Sequence, residues 1–369
     1  MATMFDYIQW RGDLTFAQDP PNAVDALIFS TLSYIHYGGK VESAPREPVL
    51  LRDAAEHFFR QENPENSIRV EKDLDLLHQA SVSTRFGRTR LVYYRDMLIP
   101  EQETQFAAVT FLLDDGSAFL AFRGTDYSLV GWKEDFNMSF QQTVPAQRLA
   151  VQYVREVAAE YTLPMRLGGH SKGGNLAVFA AARSSPVLQR QIQEVYNHDG
   201  PGFTQYMMGD PGYLAIVPRI RTFVPESSVI GMLLEHEEPY TVVKSRSVSL
   251  LQHDPYTWEI MGKSFITTGD ISEDSRFLDA TIKAWFAGMT DVERSRLVDV
   301  MFTLLGTGGV ESTLDILHPK NTLNYLKALG SDDNMRKVLS EEFQNLVEAA
   351  RRTKMRFEAE RTGIEEENR

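Results

Sequence analysis

The chain has 369 residues, 43% hydrophobic and 24% charged, with 51 acidic against 38 basic side chains, a net charge of −13 and no cysteine. The length permits a large core, since open α/β sheets run past about 200 residues as one unit. The acidic balance repels phosphate backbones and argues against a nucleic-acid partner, and the missing cysteines exclude disulfides, a thiol nucleophile and thiolate metal sites.

At the N-terminus, Met1 to Gln18 shows no basic start followed by an apolar run, so no secretory signal is expected. No stretch reaches the roughly 18 apolar residues that a membrane span needs. The expected location is cytoplasmic. Asp25 to Tyr37, with ALIFSTLSYIHY, reads as a buried helix within a helical lead-in that also includes 52–62 and 73–79.

From Arg88 the pattern changes to aromatic and β-branched runs at 91–97, 106–113 and 118–122. Asp114-Asp115-Gly116 lies between the last two and signals a hairpin. Residues 145–161 carry helical apolar spacing at Leu149, Tyr153, Val154 and Val157, and Met165-Arg166-Leu167 reads as a short strand. A helix of small residues is expected over 175–182, strands over 192–196 and 219–224, and an extended segment over 241–251. After about Asp270 the chain reads as helical, with a capping box at Thr290 and Glu293 and a long charged helix over 340–361. Strands alternating with helices predict an α/β core with a mostly parallel sheet. The organisation expected is a unit over 1–269, lead-in included, and a helical extension over 270–369.

The sharpest motif is Gly169-His170-Ser171-Lys172-Gly173. A G-x-S-x-G run between a strand and a helix suits a serine nucleophile on a tight turn, because flanking glycines remove side chains that would strike the neighbouring elements. The helix N-terminus behind it favours developing negative charge. A Walker A loop does not fit, since Lys172 follows the serine and precedes the glycines. An acyl-transfer site needs two donors for the oxyanion. The backbone N–H of Lys172 is one candidate, and Thr125, through its N–H and hydroxyl, is the other, in Phe122-Arg123-Gly124-Thr125-Asp126 upstream.

The run FRGTD with Trp132 and Asp135-Phe136, followed by GHSKGGNLA, resembles the class 3, fungal-type lipases. It is similar still more closely to a bacterial group of lipase-like α/β-hydrolases that carries GHSKGGNLA and a later DGPGF, here Asp199 to Phe203. The resemblance spans roughly Gln9 to Ser264. It implies an α/β-hydrolase fold, ester hydrolysis, an oxyanion donor at Thr125, and structural roles for Arg123 and Asp135.

A serine hydroxyl needs a base, and the base needs an orienting acid; in this fold the chain order is serine, acid, histidine. His198, His236, His253 and His318 follow Ser171. His253 is the expected base, because it ends an extended stretch and opens a loop, and the closer group also carries HDP with a tryptophan, matched by His253, Asp254, Pro255 and Trp258. His236, among Glu235, Glu237 and Glu238, reads as solvated. The acid is Asp199, at the turn that opens Gly200-Pro201-Gly202-Phe203, or Glu226, near where the lipases place their aspartate. Residues 229–234 are a lid, an acyl-pocket wall or a buried element. No metal site or cofactor is expected. The function expected is a serine hydrolase acting on a small-molecule or lipid ester; a thioesterase, amidase or peptidase on the same machinery, or a non-catalytic binding protein on the fold, are the alternatives.

Overall fold

The computed structural model describes residues 1–43, 47–312, 315–316 and 318–367. Its main sheet has eight strands in sequential order: β1 (Val49–Leu50), β2 (Arg90–Ile99), β3 (Thr104–Leu112), β4 (Ala118–Phe122), β5 (Met165–His170), β6 (Ile192–His198), β7 (Ile220–Pro225) and β8 (Tyr240–Val243). β1 to β4 pair antiparallel and β4 to β8 pair parallel. The connections from β2 to β3 and from β3 to β4 are short. Asp114-Asp115-Gly116 joins β3 to β4 with Gly116 at φ +81°, a left-handed position that glycine takes without strain. The parallel connections need crossovers, and the helices Pro145–Glu160 and Lys172–Ala182 supply those before and after β5. Every residue of β3 and β4 is buried, as expected of strands covered on both faces. This mostly parallel sheet with helices on both sides is an α/β-hydrolase fold.

One face packs against the lead-in and the other against the crossover helices. The first lead-in helix over the sheet is Ala23–Leu32, buried from Val24 onward. It starts two residues before the expected Asp25, because Asn22 caps it and Asp25 closes a capping box. Asp25 is fully buried, with its oxygens on Arg85 at 2.6 and 2.7 Å and on the Tyr7 hydroxyl at 2.9 Å. The segment expected to be extended over 241–251 is a strand only to Val243, after which Ser249–His253 forms a short 3-10 turn.

A helical C-terminal extension is present, comprising Glu273–Ala287, Asp291–Leu305, Pro319–Ser331 and Asp333–Glu367. Thr290 and Glu293 form the expected capping box. The extension meets the body on the helix Leu129–Asn137 and beside Glu226. Val298, Phe302 and Val310 pack on Leu129 of the helix Leu129–Asn137, and Lys133 of that helix bridges Glu103 and Asp299 at 2.7 Å each. At the other place the Ser272 N–H donates to the Glu226 carbonyl at 2.7 Å. Among the described residues no helix is long and apolar enough to cross a membrane.

Candidate active site

Ser171 stands at the junction of β5 and the helix Lys172–Ala182, with φ 57° and ψ −133°. Such a backbone is costly for any residue with a Cβ. The turn is held because the Ser171 N–H donates to the His198 carbonyl on β6 at 3.0 Å. The glycines of the motif now have a physical reason. A Cβ on Gly173 would stand 2.1 Å from the Phe122 carbonyl oxygen, and one on Gly169 would stand 2.2 Å from the Gly173 backbone.

Asp199 follows β6 directly, and its N–H donates to the Phe223 carbonyl at 2.8 Å. Its carboxylate is fully buried. Oδ2 lies 2.6 Å from His253 Nδ1, and Oδ1 accepts the Ser228 hydroxyl at 2.5 Å. His253 ends the Ser249–His253 turn and stays partly exposed. With Nδ1 facing a carboxylate, Nε2 is the nitrogen left for proton exchange.

His170 holds the same histidine from the other side. Its ring lies 4.5 Å from the His253 ring, and its Nε2 is 2.8 Å from the His253 carbonyl oxygen. Burial, reinforced by His253 and Arg69, keeps the His170 pKa well below the usual imidazole range. The neutral ring donates through Nε2 and accepts the Tyr34 hydroxyl at Nδ1, 3.3 Å away. The backbone of His253 is therefore tied to the end of β5 through His170, one residue before the serine. Glu226 has a different part. Its carbonyl takes the Ser272 N–H, while the carboxylate that meets the His253 imidazole is that of Asp199.

Thr125 lies just beyond β4, and its hydroxyl donates to Asp135 Oδ2. The hydroxyl proton is thus committed to Asp135. Burial pushes the Asp135 pKa up to about 6, against the pull of Lys172 and the Thr125 donor. The Lys172 side chain does not enter the cleft. Its Nζ is buried, donates to the Gln105 carbonyl at 2.9 Å and Glu134 Oε2 at 3.1 Å, and stands 3.6 Å from Asp135. Its backbone N–H, at the first turn of the helix, has no intrahelical acceptor. Arg123 is structural in the way expected, bonded by both terminal nitrogens to Asp96 at 3.1 and 2.7 Å.

Two expectations need correction. His236 is not solvated: its side chain is 9% exposed and its two nitrogens lie 3.0 Å from Glu238 Oε1 and 2.9 Å from the Gly231 carbonyl. One faint sign of this is legible in the chain, a carboxylate two residues on. Residues 229–234 are neither a regular helix nor a strand; they form a loop around one 3-10 turn, Ile230–Met232, that lies on Asp199. His198 is core, pushed down to about 4 by burial and stacked among Tyr196 and Phe223.

This sheet, with a strained serine at the turn from a parallel strand to a helix, has the lipase-like α/β-hydrolase fold. Residues 80–303 match the model of the Mbeg1-like family, and the chain belongs to that family. No curated protein matches the sequence. Among solved structures the chain is similar to M37 lipase, at 12% identity over 56% of this chain and 69% of that one with a TM-score of 0.36. It is also similar to a mutant form of MDLA from Penicillium cyclopium, at 14% identity over 61% and 81% with a TM-score of 0.36. A third similar structure is the Rhizomucor miehei lipase propeptide complex, at 13% identity over 63% and 89% with a TM-score of 0.32.

Proposed function

We propose that the protein is a serine hydrolase that cleaves a carboxylic ester through an acyl-enzyme. Ser171 Oγ attacks the acyl carbon as His253 Nε2 takes its proton. Asp199 fixes the ring and balances the imidazolium that forms. The N–H groups of Lys172 and Thr125 receive the oxyanion. The tetrahedral adduct collapses, the alkoxide leaves with the proton from His253, and the acyl group stays on Ser171. Water, deprotonated by His253, then attacks the acyl carbon; the acid departs and Ser171 regains its proton.

The observation that carries this reading is the 2.6 Å contact between His253 Nδ1 and buried Asp199, one strand from the strained Ser171. A cytoplasmic setting makes a small or membrane-derived ester the expected substrate, with residues 1–269 as the catalytic unit.

The test is labelling by a fluorescent fluorophosphonate alongside hydrolysis of p-nitrophenyl esters of several chain lengths. Wild type is expected to label and turn over, and Ser171→Ala to do neither while keeping its circular dichroism spectrum. Full activity in Ser171→Ala, or a wild type that neither labels nor hydrolyses any ester, overturns the reading.

A further inference from the structure

His236 and Glu238 form a second histidine–carboxylate pair close to Asp199, and the hydrogen-bonding pattern fixes its protonation. Both ring nitrogens of His236 face acceptors: Nε2 meets the Gly231 carbonyl and Nδ1 meets Glu238 Oε1. A carbonyl has no proton to give. Glu238 is filled with donors, taking the Thr222 hydroxyl at 2.7 Å and the Tyr213 hydroxyl at 2.6 Å. Burial alone would raise the Glu238 pKa, yet His236 and those two hydroxyls bring it below the ordinary carboxylate value. An imidazole bonded to two acceptors of this kind carries a proton on each nitrogen.

The ring is joined to the acid through the loop it holds. Gly231 lies so close to Asp199 that a Cβ there would stand 2.3 Å from Oδ1 and 3.0 Å from Ser228 Oγ. Ser228, on the same loop, donates to that same Oδ1. The loop is also laced to the DGPGF segment: the Gly202 N–H donates to the Leu233 carbonyl at 2.8 Å, and Phe203 and Glu235 exchange backbone bonds at 2.8 and 3.0 Å. A Cβ on Gly202 would strike the Glu235 carbonyl at 2.2 Å and the His236 ring at 2.9 Å.

We propose that His236, as an imidazolium bridging Glu238 and the Gly231 carbonyl, is a positioning residue that presses Ser228 and Gly231 onto Asp199 and so aims its free oxygen at His253. This rests on the reading of Asp199 as the acid that orients the base. Besides Glu238, the acid Asp279 of the helix Glu273–Ala287 interacts with His236, and Asp279 is itself paired with Lys283 at 3.2 Å.

The experiment compares His236→Phe, His236→Gln and Gly231→Ala with wild type, by ester hydrolysis and by the low-field proton resonance of the His253–Asp199 hydrogen bond. His236→Phe is expected to lose about tenfold or more in kcat with KM within about threefold, the mark of an interaction used in the transition state. Its low-field resonance should shift or broaden. His236→Gln keeps two N–H donors without the ring. It should retain kcat within about threefold. Gly231→Ala, which keeps the pair intact but intrudes on Asp199, should reproduce the His236→Phe signature. An unmoved resonance and unchanged kcat in His236→Phe overturn the proposal, as does a Gln variant as impaired as the Phe variant. If His236→Phe does not fold, Gly231→Ala and His236→Gln decide alone. The resonance needs no turnover, so failure of the serine reading, seen in Ser171→Ala, stays separate from failure of this one.

Discussion

His253 Nδ1 lies 2.6 Å from Oδ2 of Asp199, a residue 54 positions earlier, with the carboxylate fully buried and the imidazole at the edge of solvent. A buried charge is stabilised by its donors, and the Asp199 carboxylate meets two: the His253 imidazole on Oδ2 and the Ser228 hydroxyl on Oδ1. Asp199→Asn preserves shape but turns an acceptor into an amide that can bond the wrong imidazole tautomer. It is expected to cost about 10³- to 10⁴-fold in kcat with little change in KM. Steady-state kinetics of the variant check this, and a loss under about tenfold would move the acid elsewhere.

Asp135 links the fold to pH. Its pKa, pushed up to about 6 from 3.8, means that the folded protein holds this proton more tightly than the unfolded chain does. Its contribution to stability is therefore present below about pH 4 and is lost as pH rises through 6, a change of about 3 kcal/mol. Asp135→Asn removes that slope. Urea unfolding of both proteins across this range is expected to show the stability difference between them changing in the direction of a less stable wild type at higher pH. Parallel curves would refute it.

Arg85 and Asp25 are both fully buried and doubly bonded. Arg85→Met takes two donors and the balancing charge from the carboxylate, and an uncompensated buried charge costs about 3 to 5 kcal/mol. Arg85→Met with Asp25→Leu should recover most of that loss, because the charge is then gone. Denaturant midpoints of the single and double variants measure it. A single variant as stable as wild type would show that water reaches the pair.

Much of this architecture is legible in the chain because it is local. The Asp-Gly turn between β3 and β4, the glycines around Ser171 and the Thr290–Glu293 cap depend on neighbours a few residues apart. The choice between Asp199 and Glu226 is not local, since both follow parallel strands beside glycine or proline. Only the three-dimensional path of the 249–253 turn brings the imidazole to one of them. His236 misled for a related reason. Three glutamates around it suggest water, yet Glu238 points inward to Tyr213 and Thr222, a preference set by residues distant in sequence. The acceptor of the Thr125 hydroxyl is hidden for the same reason, since Asp135 sits ten residues on, in a separate helix.

The left-handed backbone of Ser171 has an evolutionary cost. Conformations of this kind cost on the order of 1 to 3 kcal/mol for any residue but glycine. Ser171→Gly should therefore yield a protein that melts later than wild type and does no chemistry, an outcome that a thermal scan and one phosphonate gel can read together. A chain shaped for robustness alone would carry glycine at this turn; the serine costs stability there, and the proposed hydrolysis is what that cost serves.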